Sequence, residues 1–207
     1  MSVNFKSPNK VYLLLFVPVY LILFFIIDTL PVAHSIISCA VDAYIPYNRY
    51  MIIPYCIWFL WWPCWLLYLM SVSEADFRKL CRTMYTGMAV CLLIQLIWPN
   101  GVSIREDLVS TDIFTKGIQL IRSIDPPYCT CPSLLAVISL SIALTVNESA
   151  IKDFSATVKS YVWIITMLLI YSAMGIKQQS IINVAAGALL AAGLHYMFRA
   201  FDRKHTL

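Results

Sequence analysis

Residues 177–193 read KQQSIINVAAGALLAAG, a cation and three side-chain amides standing directly before a run of small apolar residues. Gln179 and Asn183 lie four apart, about one helical turn, so their amides share a face and can bond to each other, to a neighbouring helix or to a ligand. Two other stretches concentrate polar chemistry. PNGVSIRED at residues 99–107 sets Arg105 beside Glu106 and Asp107, and DPPYCTCPSLL at residues 125–135 sets two thiols and Ser133 before an apolar run. Cys129 and Cys131 could pair or bind a metal, but a bridge across a single intervening residue is strained and no histidine stands nearby in sequence. Neither a metal nor a cofactor is expected, and His34 and His195 lie outside all three stretches.

The elements that must position these groups follow from the solvent. The 207 residues are 60% hydrophobic and 13% charged, with a mean hydropathy of +0.76. Soluble domains are about 45–50% apolar and about 25% charged, so an integral membrane protein is expected. Long uncharged apolar runs cover Val11–Ile27, Met51–Met70, Tyr85–Trp98, Ser133–Val146, Tyr161–Gly175 and Ile181–Phe198. Several fall short of the roughly 20 residues a crossing helix needs, so polar flanks must extend them. Backbone groups find no partner in hydrocarbon, which demands helices, and the runs lack the alternation of a barrel. The expected fold class is therefore all-α, a polytopic membrane protein built as a bundle of six transmembrane helices. Residues 1–207 show no repeat and no long linker, so a single domain is expected.

Six crossings distribute the cations unequally. Lys6, Lys10, Arg78, Lys79, Arg82, Lys152, Lys159, Arg199, Arg203 and Lys204 fall on one side, against Arg49, Arg105, Lys116, Arg122 and Lys177 on the other. The positive-inside rule then places both termini in the cytoplasm, in a multi-pass protein of the cell membrane, and all three polar stretches outside. Juxtamembrane cations facing anionic lipid account for the net charge of +4 without a nucleic-acid partner. Asp28 and Pro31 separate the first apolar run from the IISC stretch ending at Cys39, and a retained signal anchor is expected there. Pro99–Pro132 is the longest stretch between runs, and loops of that length tend to be functional. Arg105 and Lys177 run against the charge bias, meeting either lipid headgroups or a ligand, while Ser133 and Ser172 suit helix caps and packing as well as ligation. Gly187 and Ala191 suggest a close helix contact, and Trp58, Trp61, Trp62 and Trp65 suggest interface anchoring and core filling.

Taken in order and at these separations, PNGVSIRED, DPPYCTCPSLL and SAMGIKQQSIINVAAG resemble the three motifs of the type 2 phosphatidic acid phosphatase superfamily, in particular a bacterial branch related to inositol phosphotransferases. The stretch IPYNRYMIIPYCIWF at Ile45–Phe59 is also similar to that branch, so the resemblance covers nearly the whole chain. It implies phosphoryl transfer through a histidine nucleophile oriented by an aspartate, a second histidine as acid, and Lys, Arg and Ser groups around the phosphate. Carried over residue by residue, the nucleophile position holds Gln179, the aspartate position Asn183 and the acid position Leu135. Ala173 stands at an arginine position, Trp98 at a lysine position and Glu106 at a proline position. Arg105, Ser133 and Ser172 match, and Lys177 agrees with a KQH variant of the branch.

The replacements keep polarity at two positions while removing nucleophile, base and acid. In a covalent enzyme, losing the nucleophile or its base costs roughly six orders of magnitude, about 8 kcal/mol of barrier. The resemblance therefore implies a catalytically inactive relative that binds a phosphorylated lipid headgroup through Arg105, Ser133, Ser172 and Lys177, or acts as a membrane-protein partner subunit. The alternative is an active lipid phosphatase or phosphotransferase whose nucleophile is Glu106, Asp107, Ser133 or Cys131. A transporter on the same fold has only the polar residues between helices in its favour. The orientation is checked by labelling intact cells with an impermeant thiol reagent. A cysteine introduced at Lys116 should react and one at Arg78 should stay protected; the reverse pattern overturns it.

Overall fold

In the computed structural model, residues 8–28, 35–105, 108, 112–125, 127–128 and 130–205 are described. Seven α-helices make up the described chain: α1 (Pro8–Asp28), α2 (Ile52–Val72), α3 (Glu74–Ile97), α4 (Ile113–Ile124), α5 (Leu134–Glu148), α6 (Ala156–Gly175) and α7 (Ile181–His205). Two two-residue strands, β1 (Ser35–Ile36) and β2 (Asn100–Gly101), pair in parallel. The all-α class is as expected, and each of the six apolar runs coincides with a helix. By length and composition four qualify as crossings, Arg49–Val72, Glu74–Ile97, Ala156–Gly175 and Ile181–Lys204; α5 and the Leu15–Ile27 part of α1 are shorter.

Helix α5 is the axis of the bundle. Every residue from Leu135 to Ile142 is buried, as are Ala143, Thr145 and Val146, so the helix is enclosed all round, with α3, α6 and α7 packed against it. Its hydroxyls are satisfied locally: Ser141 Oγ donates to Val137 O at 2.7 Å, Thr145 Oγ1 donates to Ser141 O at 2.8 Å, and Ser139 Oγ accepts Trp58 Nε1 at 3.1 Å. The surrounding helices turn apolar side chains outward; Leu60 is 70% exposed, Ile164 62% and Leu189 74%. Water does not tolerate such a surface in a folded monomer, whereas lipid does.

Two elements differ from the sequence reading. Helix α3 begins at Glu74, eleven residues before the apolar run at Tyr85, because Ser73 caps it: Ser73 Oγ accepts Asp76 N at 3.2 Å, with Glu74 and Asp76 in the favourable first turn. Arg78, Lys79 and Arg82 are therefore helical, and α2 and α3 are separated by Ser73 alone. The long stretch at Pro99–Pro132 contains α4, started by Asp112, whose carboxylate accepts Thr115 N at 2.9 Å and pairs with Arg49. Ile118 and Thr115 are buried beneath it, which fastens the short helix to the bundle end.

Close approach of α7 to α5 depends on Gly187. A Cβ there would lie 2.5 Å from Ser133 O and 3.1 Å from Ala136 Cβ, so any side chain must push the two backbones apart. Gly193, on the same helix, has nothing within 4 Å of such a Cβ. Gly187→Ala is expected to lower the melting midpoint in detergent, by the roughly 1–3 kcal/mol typical of overpacking. Gly193→Ala should leave it unchanged or raise it; equal behaviour of the two variants would contradict this packing.

Candidate functional site

The third polar stretch forms the turn between α6 and α7. The end of α6 is closed by Ile176 N donating to Ser172 O at 3.0 Å, and by Gln178 N and Gln179 N donating to Ala173 O at 2.9 and 3.1 Å. Lys177 takes the left-handed conformation, with φ 59°, which reverses the chain and sends its side chain away from α7. Lys177 is 5% exposed, and its ammonium donates to Asp42 O at 2.7 Å and Ile45 O at 2.5 Å, carbonyls of the connection between α1 and α2. The Asp42 carboxylate answers in the other direction. Oδ2 accepts Ser180 Oγ at 2.7 Å and Cys39 N at 2.9 Å, and Oδ1 accepts Ile181 N at 2.9 Å, so Asp42 caps the start of α7 from far away in sequence. Asn48 N adds a bond to Gly175 O at 2.9 Å.

The first and second stretches are tied together by Asn100, which is fully buried. Its side chain donates to Cys131 O at 2.9 Å and Trp98 O at 3.1 Å and accepts Cys131 N at 2.8 Å. Parallel pairing of β2 with β1 and the bond from Val102 N to Pro127 O at 2.9 Å complete the strap. The second stretch meets the third where Ser133 N donates to Asn183 O at 2.9 Å. Arg105 joins through Asp125: Arg105 Nη2 donates to Asp125 O at 2.7 Å, and Gln178 Nε2 donates to the same carbonyl at 3.0 Å and to Asp125 Oδ2 at 2.9 Å. Tyr55 Oη reaches Asp125 Oδ2 at 3.4 Å, and Arg122 Nη2 reaches Ile176 O at 3.3 Å.

The three motif-like stretches are thus brought to one end of the bundle, but the four groups expected to ligate phosphate have different fates. Ser133 Oγ caps α5 by accepting Ala136 N at 3.4 Å, and Ser172 Oγ donates to Leu169 O at 2.6 Å; both residues are fully buried. Lys177 is engaged with carbonyls as described. Only Arg105 remains partly open, and its Nε is buried without a hydrogen-bond partner. Its pKa is lowered, first by burial and further by the Arg122 charge, with Asp125 opposing both.

At the positions that the resemblance assigns to catalysis, Leu135 is buried in the core, and Asn183 is fully buried with neither Oδ1 nor Nδ2 partnered. Gln179 Oε1 is likewise buried and unpartnered, so the two amides do not bond to each other. His195 lies at the other end of the bundle, its Nε2 3.3 Å from Glu148 Oε2 at the end of α5. No group of three metal-ligating side chains occurs among the described residues. His34, Glu106, Asp107 and Cys129 lie outside the described residues. Comparison with family models, curated proteins and solved structures gives no match. The family reading rests on the motif-like stretches themselves.

Asp42, Asn100, Arg122 and Asp125 were not among the expected site residues. Asp42 had a faint signal, a lone acid in CAVDAYIP between apolar neighbours, but nothing local connects it to Ser180. Removing its carboxylate strands three donors, a loss of about 3 kcal/mol or more for a buried charged acceptor. Asp42→Ala should therefore lower the melting midpoint by several degrees with no ligand present, and an unchanged midpoint would contradict the clamp.

Proposed function

We propose that the chain is a six-crossing membrane protein that uses a phosphatase-like arrangement to hold a phosphate-bearing lipid headgroup without transferring the phosphoryl group. The crossings are α1, α2, α3, α5, α6 and α7, with both termini cytoplasmic and the polar cluster on the outer face. The observation that carries the reading is the set of buried polar atoms left without protein partners where the three stretches meet: Arg105 Nε, Gln179 Oε1 and the whole amide of Asn183. Such groups cost roughly 1–3 kcal/mol each when orphaned, so a site that concentrates them favours a ligand.

The chemistry available is recognition. Neither Gln179 nor Asn183 can form a stable phosphoryl adduct or act as a base at neutral pH, and Leu135 offers no proton. Arg105 and Arg122 supply fixed positive charge in a partly desolvated place, matched to an anionic headgroup with planar, bidentate donors. Charge-assisted bonds contribute about 1.5–3 kcal/mol each, and two or three of them reach millimolar to micromolar affinity.

Thermal unfolding in detergent with phosphate, vanadate or a short-chain phosphatidic acid tests this. Each anion should raise the midpoint, and Arg105→Ala should weaken the effect by about 10–100-fold in half-saturating concentration. Lys177→Ala should lower the starting midpoint yet respond to anion like the parent, because its ammonium serves the clamp. If no anion shifts the midpoint, or Arg105→Ala responds like the parent, the cluster is structural and the protein is a membrane partner subunit.

A further inference from the structure

The end of the bundle away from the polar cluster carries a second feature. Trp61, Trp65 and Tyr68 repeat at helical spacing on one face of α2, and Phe154 from the connection between α5 and α6 closes on them. Trp65 lies 5.6 Å from Trp61, 5.7 Å from Tyr68 and 5.8 Å from Phe154 between ring centroids, with interplanar angles of 68°, 85° and 66°. Rings set at such angles turn faces in several directions around one groove, whose volume is about 400 Å³. Asp153 stands in its lining as an exposed carboxylate that makes no side-chain hydrogen bond or ion pair among the described residues. Trp61 Nε1 is buried and has no acceptor.

These three properties specify a ligand. Aromatic faces beside a carboxylate attract an ammonium group, most strongly when it is alkylated and weakly hydrated. An orphaned indole N–H asks for an acceptor oxygen, and it sits about 10 Å along α2 from Tyr68, counting seven residues at 1.5 Å, toward the middle of the helix. We propose that this groove binds a zwitterionic phospholipid of the leaflet at that end. The ammonium headgroup lies between the rings and Asp153, a glycerol-ester carbonyl accepts from Trp61 Nε1, and an acyl chain continues along the apolar faces of α2 and α6. Three tryptophans of α2 then divide: Trp58 is tied to Ser139 in the core, whereas Trp61 and Trp65 line the groove.

The test uses the full chain in a maltoside detergent, with bound lipid counted by native mass spectrometry. Dihexanoyl phosphatidylcholine should bind at one saturable site about tenfold tighter than dihexanoyl phosphatidylglycerol, which has the same chains and no ammonium. Asp153→Asn, an exposed isosteric change, should bring the choline lipid down to the affinity of the glycerol lipid. Trp61→Phe keeps a ring but loses the donor and should weaken both lipids. Equal binding of the two lipids, or an Asp153→Asn variant that binds like the parent, overturns ammonium recognition. Choline alone saturating the site as tightly as the lipid overturns the lipid assignment. Because the site is at the opposite end from Arg105, either failure leaves the anion reading standing on its own test.

Discussion

Everything at the polar end of the bundle depends on the exchange between Lys177 and Asp42. A turn at the end of two apolar helices exposes carbonyls of one and amides of the other, and at a membrane surface packed under a loop those groups need partners. The Asp42 carboxylate supplies acceptors to the start of α7, while the Lys177 ammonium returns donors to the Asp42 and Ile45 carbonyls. Each end of the clamp thus completes the other's hydrogen bonding. With the turn fixed, Gln178 meets Asp125, Asp125 meets Arg105, and Asn183 O accepts Ser133 N of the second motif-like stretch. Lys177 is accordingly a structural cation, and of the four groups expected to meet phosphate Arg105 is the one left partly open.

The same bundle shows how polarity is managed when the solvent is lipid. Along α5 each hydroxyl bonds back to its own helix or to Trp58, so the enclosed axis carries Ser and Thr at little cost. Charges are held at the two ends. Glu148 gathers Lys79, His195 and Arg199 at one end, and Asp42, Asp112 and Asp125 each receive donors at the other. Buried polar atoms without a hydrogen-bond partner occur along the bundle as well, at Thr83, Gln95, Thr166 and His195; those of Arg105, Gln179 and Asn183 are the ones that fall within the motif-like stretches.

Hydropathy made the helices legible, since each apolar run overlaps a helix, though the helices extend beyond several of the runs. It missed the first turns of α3, because a search for uncharged stretches stops at Arg82, and headgroup-level turns carry charge. It missed α4 because a twelve-residue amphipathic helix between Pro99 and Pro132 looks like loop when only long apolar runs are sought. The convergence of the three stretches was readable from their order and the alternation of crossings. The destination of Lys177 was not: its acceptors lie 135 and 132 residues away, and a left-handed lysine has no sequence signature. The local roles of Ser133 and Ser172 follow from their places at a helix start and in the last turn of a helix, where a hydroxyl finds backbone partners sooner than ligands.

The central claim is that the cluster holds a phosphorylated headgroup and leaves its ester bond intact. The most direct measurement incubates the purified chain with phosphatidic acid radiolabelled in its phosphate, then separates protein, lipid and free phosphate. The account predicts saturable, reversible association that is lost in Arg105→Ala, with all label recovered as intact lipid. Label appearing on the protein after denaturation, or as inorganic phosphate above a mock preparation, would contradict it.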